Sequence, residues 1–339
     1  MRKCIEVVAQ GLHLRGTAHL PAPGLDETSG FAGLGAVILH PGFLPRSGQG
    51  DFAVALADAL AEKGITTVRI DMPGLGDSEG DLPGDSFAFI DDAQEGRFAD
   101  VAYECVERIK AQLGLKRVVV GGHCGGAITA FYTMAGRKHG WAGLFALDVI
   151  FYLVRPVNAP VRNADGVVVQ EPGGIRREVL RNELRLALLN SPIGGMLQKT
   201  AQRAREVLKR NKPQPAQAAQ SQPAAAAPVT PAPRGPRELP AEANFNLIKC
   251  IQKVLRSEVP LLFVTADDPT KPAHFDYTEH LLSECPGRAV HSRITGTDHG
   301  FVSGNGKPRV IQTVSEWFTR EFGVATERMA QGASARTTR

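Results

Sequence analysis

A cysteine flanked by glycines is the residue in this sequence best placed to do chemistry. The stretch Val118-Val119-Val120-Gly121-Gly122-His123-Cys124-Gly125-Gly126-Ala127 begins as a β-branched run and passes into the small helical residues Ala127-Ile128-Thr129-Ala130. Glycines stand two before and two after Cys124. That spacing fits a sharp strand-to-helix turn whose central residue is held in a strained conformation, its side chain clear of the sheet. An ionised thiol there would attack an electrophilic carbonyl and form a covalent acyl intermediate. Two other readings compete: a buried structural cysteine in a glycine-rich turn, and a phosphate loop. A phosphate loop needs Gly-x-Gly-x-x-Gly spacing or a following Lys-Ser/Thr, and neither is present.

The residues that could serve such a nucleophile sit at the ends of other apolar runs. Ala36-Val37-Ile38-Leu39 reads as a strand buried on both faces and ends in His40-Pro41-Gly42-Phe43. Ligands of open α/β sheets bind beyond the carboxyl ends of the strands. The backbone N–H of Phe43 could therefore donate to a developing oxyanion, although His-Pro-Gly is also an ordinary turn. The second donor would be the N–H of Gly125, immediately after the nucleophile and at a helix N-terminus, where the dipole favours negative charge.

The elements that must hold these residues follow from periodicity. Residues 4 to 20 alternate as a β-hairpin turning at Gln10-Gly11. Phe52, Leu56 and Leu60 form one stripe of a helix over residues 51 to 63, and Thr66 to Asp71 is the next strand. Residues 92 to 113 read as one long amphipathic helix. After the turn at Cys124 come a helix to about Lys138 and a strand at Leu144 to Leu147. Beyond about residue 152 the alternation stops. Residues 153 to 245 read as an inserted helical cap without clear strands, with two basic helices over 175 to 210 interrupted near Asn190 to Gly195. Within it, residues 213 to 240 are dominated by Pro, Ala and Gln and read as a flexible linker. Helical periodicity returns at Phe245 to Ile251, then a strand at Pro260 to Val264, a helix near 273 to 284, a strand near Ala289 to Ile294 and a helix from Pro308 to Phe322. Residues 325 to 339 read as a disordered tail. Strands alternating with helices at this period predict an α/β architecture, a mostly parallel sheet with helices on both faces.

Three segments together resemble the α/β-hydrolase superfamily, most nearly its serine aminopeptidase-like branch, with Cys124 in place of the nucleophilic serine. They are the Gly122-to-Gly126 turn, the run Asp71-Met72-Pro73-Gly74-Leu75-Gly76-Asp77-Ser78-Glu79-Gly80, and Gly296-Thr297-Asp298-His299-Gly300-Phe301. The resemblance implies a core in two parts, residues 1 to 152 and 246 to 324. It assigns a structural role to the Asp71 run and makes His299 the general base. For the acid it points to Asp268, through Thr265-Ala266-Asp267-Asp268-Pro269, with Asp267 one residue away; some relatives use the position of Asp148 instead. The order Cys124, Asp268, His299 fits nucleophile, acid and base.

A cysteine nucleophile would give a thioester acyl-enzyme, which amines and thiols attack more readily, relative to water, than they attack an oxygen ester. A thioesterase or acyltransferase on activated acyl groups is the expected activity. A carboxylesterase or peptidase of the same fold, or a non-catalytic hydrolase-fold binding protein, are the alternatives. No cofactor and no metal are expected. In the cap, Arg176, Arg177, Arg181, Arg185, Lys199, Arg203, Arg205, Lys209 and Arg210 outnumber Glu178, Glu183 and Glu206. They could dock an acidic acyl carrier protein or a CoA phosphate, or simply form a solvated face.

Composition narrows the remaining classes. A net charge of +4 over 339 residues does not argue for nucleic acid, and no apolar run is long enough to cross a bilayer. The N-terminus alternates in strand fashion with no signal-peptide core. The five cysteines, Cys4, Cys105, Cys124, Cys250 and Cys285, contain no C-x-x-C pair. A reduced, cytoplasmic setting is expected, with Cys124 a free thiol.

Overall fold

The structure, a computed structural model, describes residues 1–40, 42–81, 86–137, 140–151, 153, 161–162, 168–170, 243–267, 277–284 and 289–323. The chain divides into two units, Met1–Arg155 with Glu242–Arg339, and Pro156–Ala241.

The first unit is built on an eight-stranded sheet that opens at one edge with a hairpin. β1 (Arg2–Ala9) and β2 (Leu12–His19) form the hairpin, whose turn residues Gln10 and Gly11 both have positive φ, 51° and 78°. Two such residues in succession match the right-handed twist of the flanking strands. β2 pairs antiparallel with β4 (Thr66–Ile70). From there inward the sheet is parallel: β3 (Leu34–Leu39), β5 (Arg117–His123), β6 (Gly143–Leu147), β9 (Leu261–Asp267) and β10 (Ala289–Thr295). Every residue of β3 and β6 is buried, as strands covered on both faces require.

After the short α1 (Leu25–Thr28) comes α2 (Phe52–Glu62), which packs on one face with the last helix, α8 (Gly306–Phe322). Phe52, Leu56 and Leu60 of α2 share a core with Val310, Val314, Trp317 and Phe318 of α8 and with Phe145 and Leu262 of the sheet. Among the remaining helices, α3 (Ser86–Gln94), α4 (Ala99–Gln112) and α6 (Phe245–Leu255) pack around α5 (Gly125–Ala135). A shorter helix, α7 (Tyr277–Glu284), precedes β10.

The single helix expected over 92 to 113 is two, α3 and α4. The chain breaks at Gly96, where φ is 78° and a Cβ would come within 2.7 Å of the Tyr132 ring. The helix is interrupted because only glycine fits there. The core closes again at α6, whose N-cap Asn244 accepts from the Leu247 N–H at 3.0 Å and donates its own backbone N–H to the Phe151 carbonyl at 2.7 Å.

In the second unit the described residues are two short antiparallel strands, β7 (Val161–Arg162) and β8 (Val168–Gln170). The sequence shows no strands there because two and three residues are too few to display alternation. The basic helices over 175 to 210, the linker 213 to 240 and the tail 325 to 339 lie outside the described residues. No described helix is long and apolar enough to cross a membrane.

Candidate active site

Cys124 stands between β5 and α5 with φ 52° and ψ −114°, a conformation L-residues rarely adopt. The flanking glycines make the bend possible. A Cβ at Gly122 would meet the Leu39 carbonyl oxygen at 2.7 Å, and one at Gly126 would meet it at 2.5 Å and that of His40 at 2.7 Å. The start of α5 is thus pressed against the end of β3, and the thiol stands partly exposed above the sheet.

His299 arrives from the loop between β10 and α8, which is tied to itself. Thr297 Oγ1 donates to the Ser303 carbonyl at 3.0 Å, the Asp298 N–H to Ser303 Oγ at 2.8 Å and the Val302 N–H to Asp298 Oδ1 at 2.9 Å. A second anchor comes from the residue before the nucleophile. His123 Nε2–H donates to the His299 carbonyl at 2.6 Å, and the two imidazoles lie 4.6 Å apart. The histidine inside the turn thereby fixes the loop that brings the second histidine to Cys124. Its proximity to a glycine-rich turn gave no sign of this in the sequence, since the partner lies 176 residues away.

The carboxylate on His299 is Asp148. Its Oδ2 lies 2.5 Å from His299 Nδ1 and its Oδ1 accepts the Ala266 N–H at 3.0 Å. Asp148 ends β6 with φ 47°, its side chain 3% exposed, and its N–H donates to the Val264 carbonyl at 2.7 Å. Asp268, the first expectation for the acid, lies outside the described residues; His299 Nδ1 is met by Asp148, the alternative. Asp267 is turned to Arg293 at 3.4 Å on the neighbouring strand.

Cys124 is the second group whose charge acts on the ring, beside Asp148. Burial lowers the His299 pKa, but the negative charge of Cys124, the hydrogen bonds to Asp148 and Cys124 and the Asp148 charge outweigh it, and the net value is raised from 6.5 to about 10. The His299 side chain stays 30% exposed, open to an incoming group.

The two expected oxyanion donors lie in separate elements. Gly125 opens α5, and Phe43 lies in the loop after β3, an exposed residue. Neither N–H is engaged by another acceptor among the described residues. Among the described residues no three His, Cys, Asp or Glu side chains converge to hold a metal ion.

A family model described as alpha/beta hydrolase fold matches residues 35–273. The chain belongs to this family. Its architecture is that of an enzyme of hydrolase type, with the glycine-bounded turn after β5 in its expected place. A search of curated proteins finds no match. Among solved structures, the chain is similar to DcsB in complex with its substrate analogue, at 14% identity and a TM-score of 0.53, over 95% of this chain and 100% of that one. It is similar to the alpha/beta hydrolase GrgF from Penicillium sp. sh18, at 16% identity and 0.52, over 95% and 99%. A third is TT1662 from Thermus thermophilus, at 15% identity and 0.51, over 96% and 99%. At these identities the likeness is one of fold.

Proposed function

We propose that this hydrolase-fold chain is an acyl-transfer enzyme, a thioesterase or acyltransferase that takes activated acyl groups from thioesters through Cys124. The observation that supports this best is His299, its Nδ1 held 2.5 Å from Asp148 Oδ2 and its charged form favoured by the neighbouring Cys124 and Asp148. The serine aminopeptidase-like motifs fit the same geometry, with sulfur in place of oxygen.

In this reading the Cys124 thiolate attacks the acyl carbonyl carbon. An S–C bond forms, the carbonyl π electrons move to oxygen, and the Phe43 and Gly125 N–H groups hold the oxyanion. Collapse expels the leaving thiolate, which takes the proton from His299 Nε2. The neutral imidazole then removes a proton from water or an acceptor as it attacks the new thioester, and the second collapse returns Cys124 as thiolate beside imidazolium. Asp148 keeps Nδ1–H in place throughout, so the ring always presents Nε2 to the reacting atoms.

Sulfur, in place of oxygen, favours thioester over oxygen-ester substrates, because the exchanged thiols are chemically alike and the site need not drive an uphill acyl transfer. The basic run Arg176 to Arg210 lies outside the described residues; its charge suits an acidic carrier protein or a CoA phosphate. Intact-mass measurement after mixing with an acetyl thioester tests the scheme. A 1:1 acetyl adduct on the wild-type chain, absent from Cys124→Ala, is expected. No adduct on the wild type, or one that survives Cys124→Ala, would refute it.

A further inference from the structure

Phe43, the oxyanion donor of the reading above, lies in the loop after β3, and Arg46, three residues further on, is bonded to several neighbouring segments. We infer that Arg46 is a positioning residue for the oxyanion site, an inference that rests on the acyl-transfer reading above.

Arg46 is bonded at every polar position it has. Its backbone N–H donates to Asp71 Oδ1 at 2.5 Å, and its backbone carbonyl accepts from Arg69 Nη1 at 2.9 Å. Its guanidinium pairs with Asp71 Oδ2, donates through Nε to Thr17 Oγ1 at 3.2 Å and through Nη2 to Asp77 Oδ2 at 2.8 Å. The loop is thereby fastened to β2, to β4 through Arg69, and to the turn that follows β4. These anchors are themselves fixed. Asp71 is fully buried, and a Cβ at Gly76 would lie 2.1 Å from its Oδ2, so the glycine leaves the carboxylate room to face Arg46. Arg69 is 5% exposed and donates through Nε to His19 Nε2 at 2.9 Å, while His19 Nδ1 meets Asp58 Oδ1 at 2.7 Å.

A bidentate, doubly braced arginine is a costly arrangement for a surface loop, because a buried carboxylate and two guanidinium groups must all be desolvated. The stretch it restrains is short: Phe43, Leu44 and Pro45 separate the clamp from Gly42, and Pro45 removes one further rotation. On the other side, the Gly48 N–H returns to the Pro45 carbonyl at 2.9 Å and the Ala53 N–H to Ser47 at 3.1 Å, joining the loop to α2. With the end of β3 pressed on the start of α5 and Arg46 fixed by its partners, the short stretch that carries the Phe43 N–H is restrained from both sides. An oxyanion donor works only when placed to within a fraction of an ångström of the developing charge, and the clamp supplies that placement. The Asp71-to-Gly80 run then has a catalytic consequence: it is the wall against which the oxyanion loop is braced.

Two reactions at the same sulfur separate this role from general stability. Acylation by phenyl thioacetate or p-nitrophenyl acetate passes through an oxyanion, whereas alkylation by iodoacetamide displaces iodide at a saturated carbon and needs none. Arg46→Ala is expected to slow acylation about ten- to a hundredfold while leaving iodoacetamide alkylation within about twofold. Arg46→Lys keeps the charge opposite Asp71 but loses the fork to Thr17 and Asp77, and is expected to fall between; it is also the variant to read where Arg46→Ala does not fold. Acylation unchanged in the variants, or acylation and alkylation falling together, overturns the inference. A wild-type chain that alkylates but never acylates overturns the acyl-transfer reading itself, and this inference with it.

Discussion

His40 should make the fold sensitive to mild acid. It ends β3 at 1% exposure, with Phe89 and Phe98 edge-on to its ring at 5.6 and 6.0 Å. Neither ring nitrogen has a hydrogen-bond partner among the described residues. Burial pushes its pKa from 6.5 down to about 4; the nearby Gly42 backbone pulls weakly the other way without reaching hydrogen-bond geometry. The folded chain therefore binds this proton more weakly than the unfolded chain does. Its contribution is fully present above about pH 6.5 and is lost as pH falls from there towards 4. A gap of about 2.5 pH units, at about 1.4 kcal/mol per unit, corresponds to about 3 kcal/mol of stability lost. His40→Leu removes the titrating group, puts a side chain of similar bulk against the two phenylalanines, and deletes nitrogens that have no partners to lose. Urea unfolding of both chains at pH 7, 5.5 and 4.5 reads the effect. Carboxylates titrate alike in the two chains and cancel in the difference, so the stability of the variant relative to the wild type should rise by most of that 3 kcal/mol as the pH falls. Two stability curves that run parallel across this range would refute the reasoning.

Three further outcomes follow from the site. Asp148→Asn would turn an amide donor towards His299 Nδ1 and force the proton to Nε2, so kcat/KM on a thioester should fall about a hundredfold or more with the fold intact by circular dichroism. His299→Gln removes the imidazolium that faces Cys124; iodoacetamide alkylation at pH 7 should slow about tenfold or more in a timed mass-spectrometric assay. Gly126→Ala sets a methyl group 2.5 Å from the Leu39 carbonyl and 2.7 Å from that of His40, neither of which can rotate away. Denaturant melts should show a loss of about 1–3 kcal/mol, and acylation should fall with the displaced turn.

What the sequence revealed and what it hid divide by range. The turn at Cys124 was legible because its constraint is local: the glycines that let α5 approach β3 are within two residues of the nucleophile. The alternation of strands and helices likewise announced the sheet. The acid was not legible, for a tertiary reason. Asp148 and Asp268 both follow strands, β6 and β9 lie side by side with Leu147 opposite Val264, and only the approach of the His299 loop selects between their ends. Resemblance points to Asp268, with Asp148 as an alternative, and the contact with His299 is made by Asp148. The break at Gly96 was readable in principle, since a glycine inside a helical pattern costs about 1 kcal/mol, but the Tyr132 ring that forbids a side chain there lies in another helix. Arg46 was missed outright: its signal was an arginine in a short loop after an apolar strand, and its meaning depended on Asp71 from the next strand.

The hydrogen bond between Phe151 and Asn244 spans a wide gap in the sequence. The chain leaves the sheet and rejoins it at touching points, and Asn244 restarts the helix there with its own cap. The two ends of the intervening stretch are thus held together by the first unit's own backbone, at a seam between the sheet and α6.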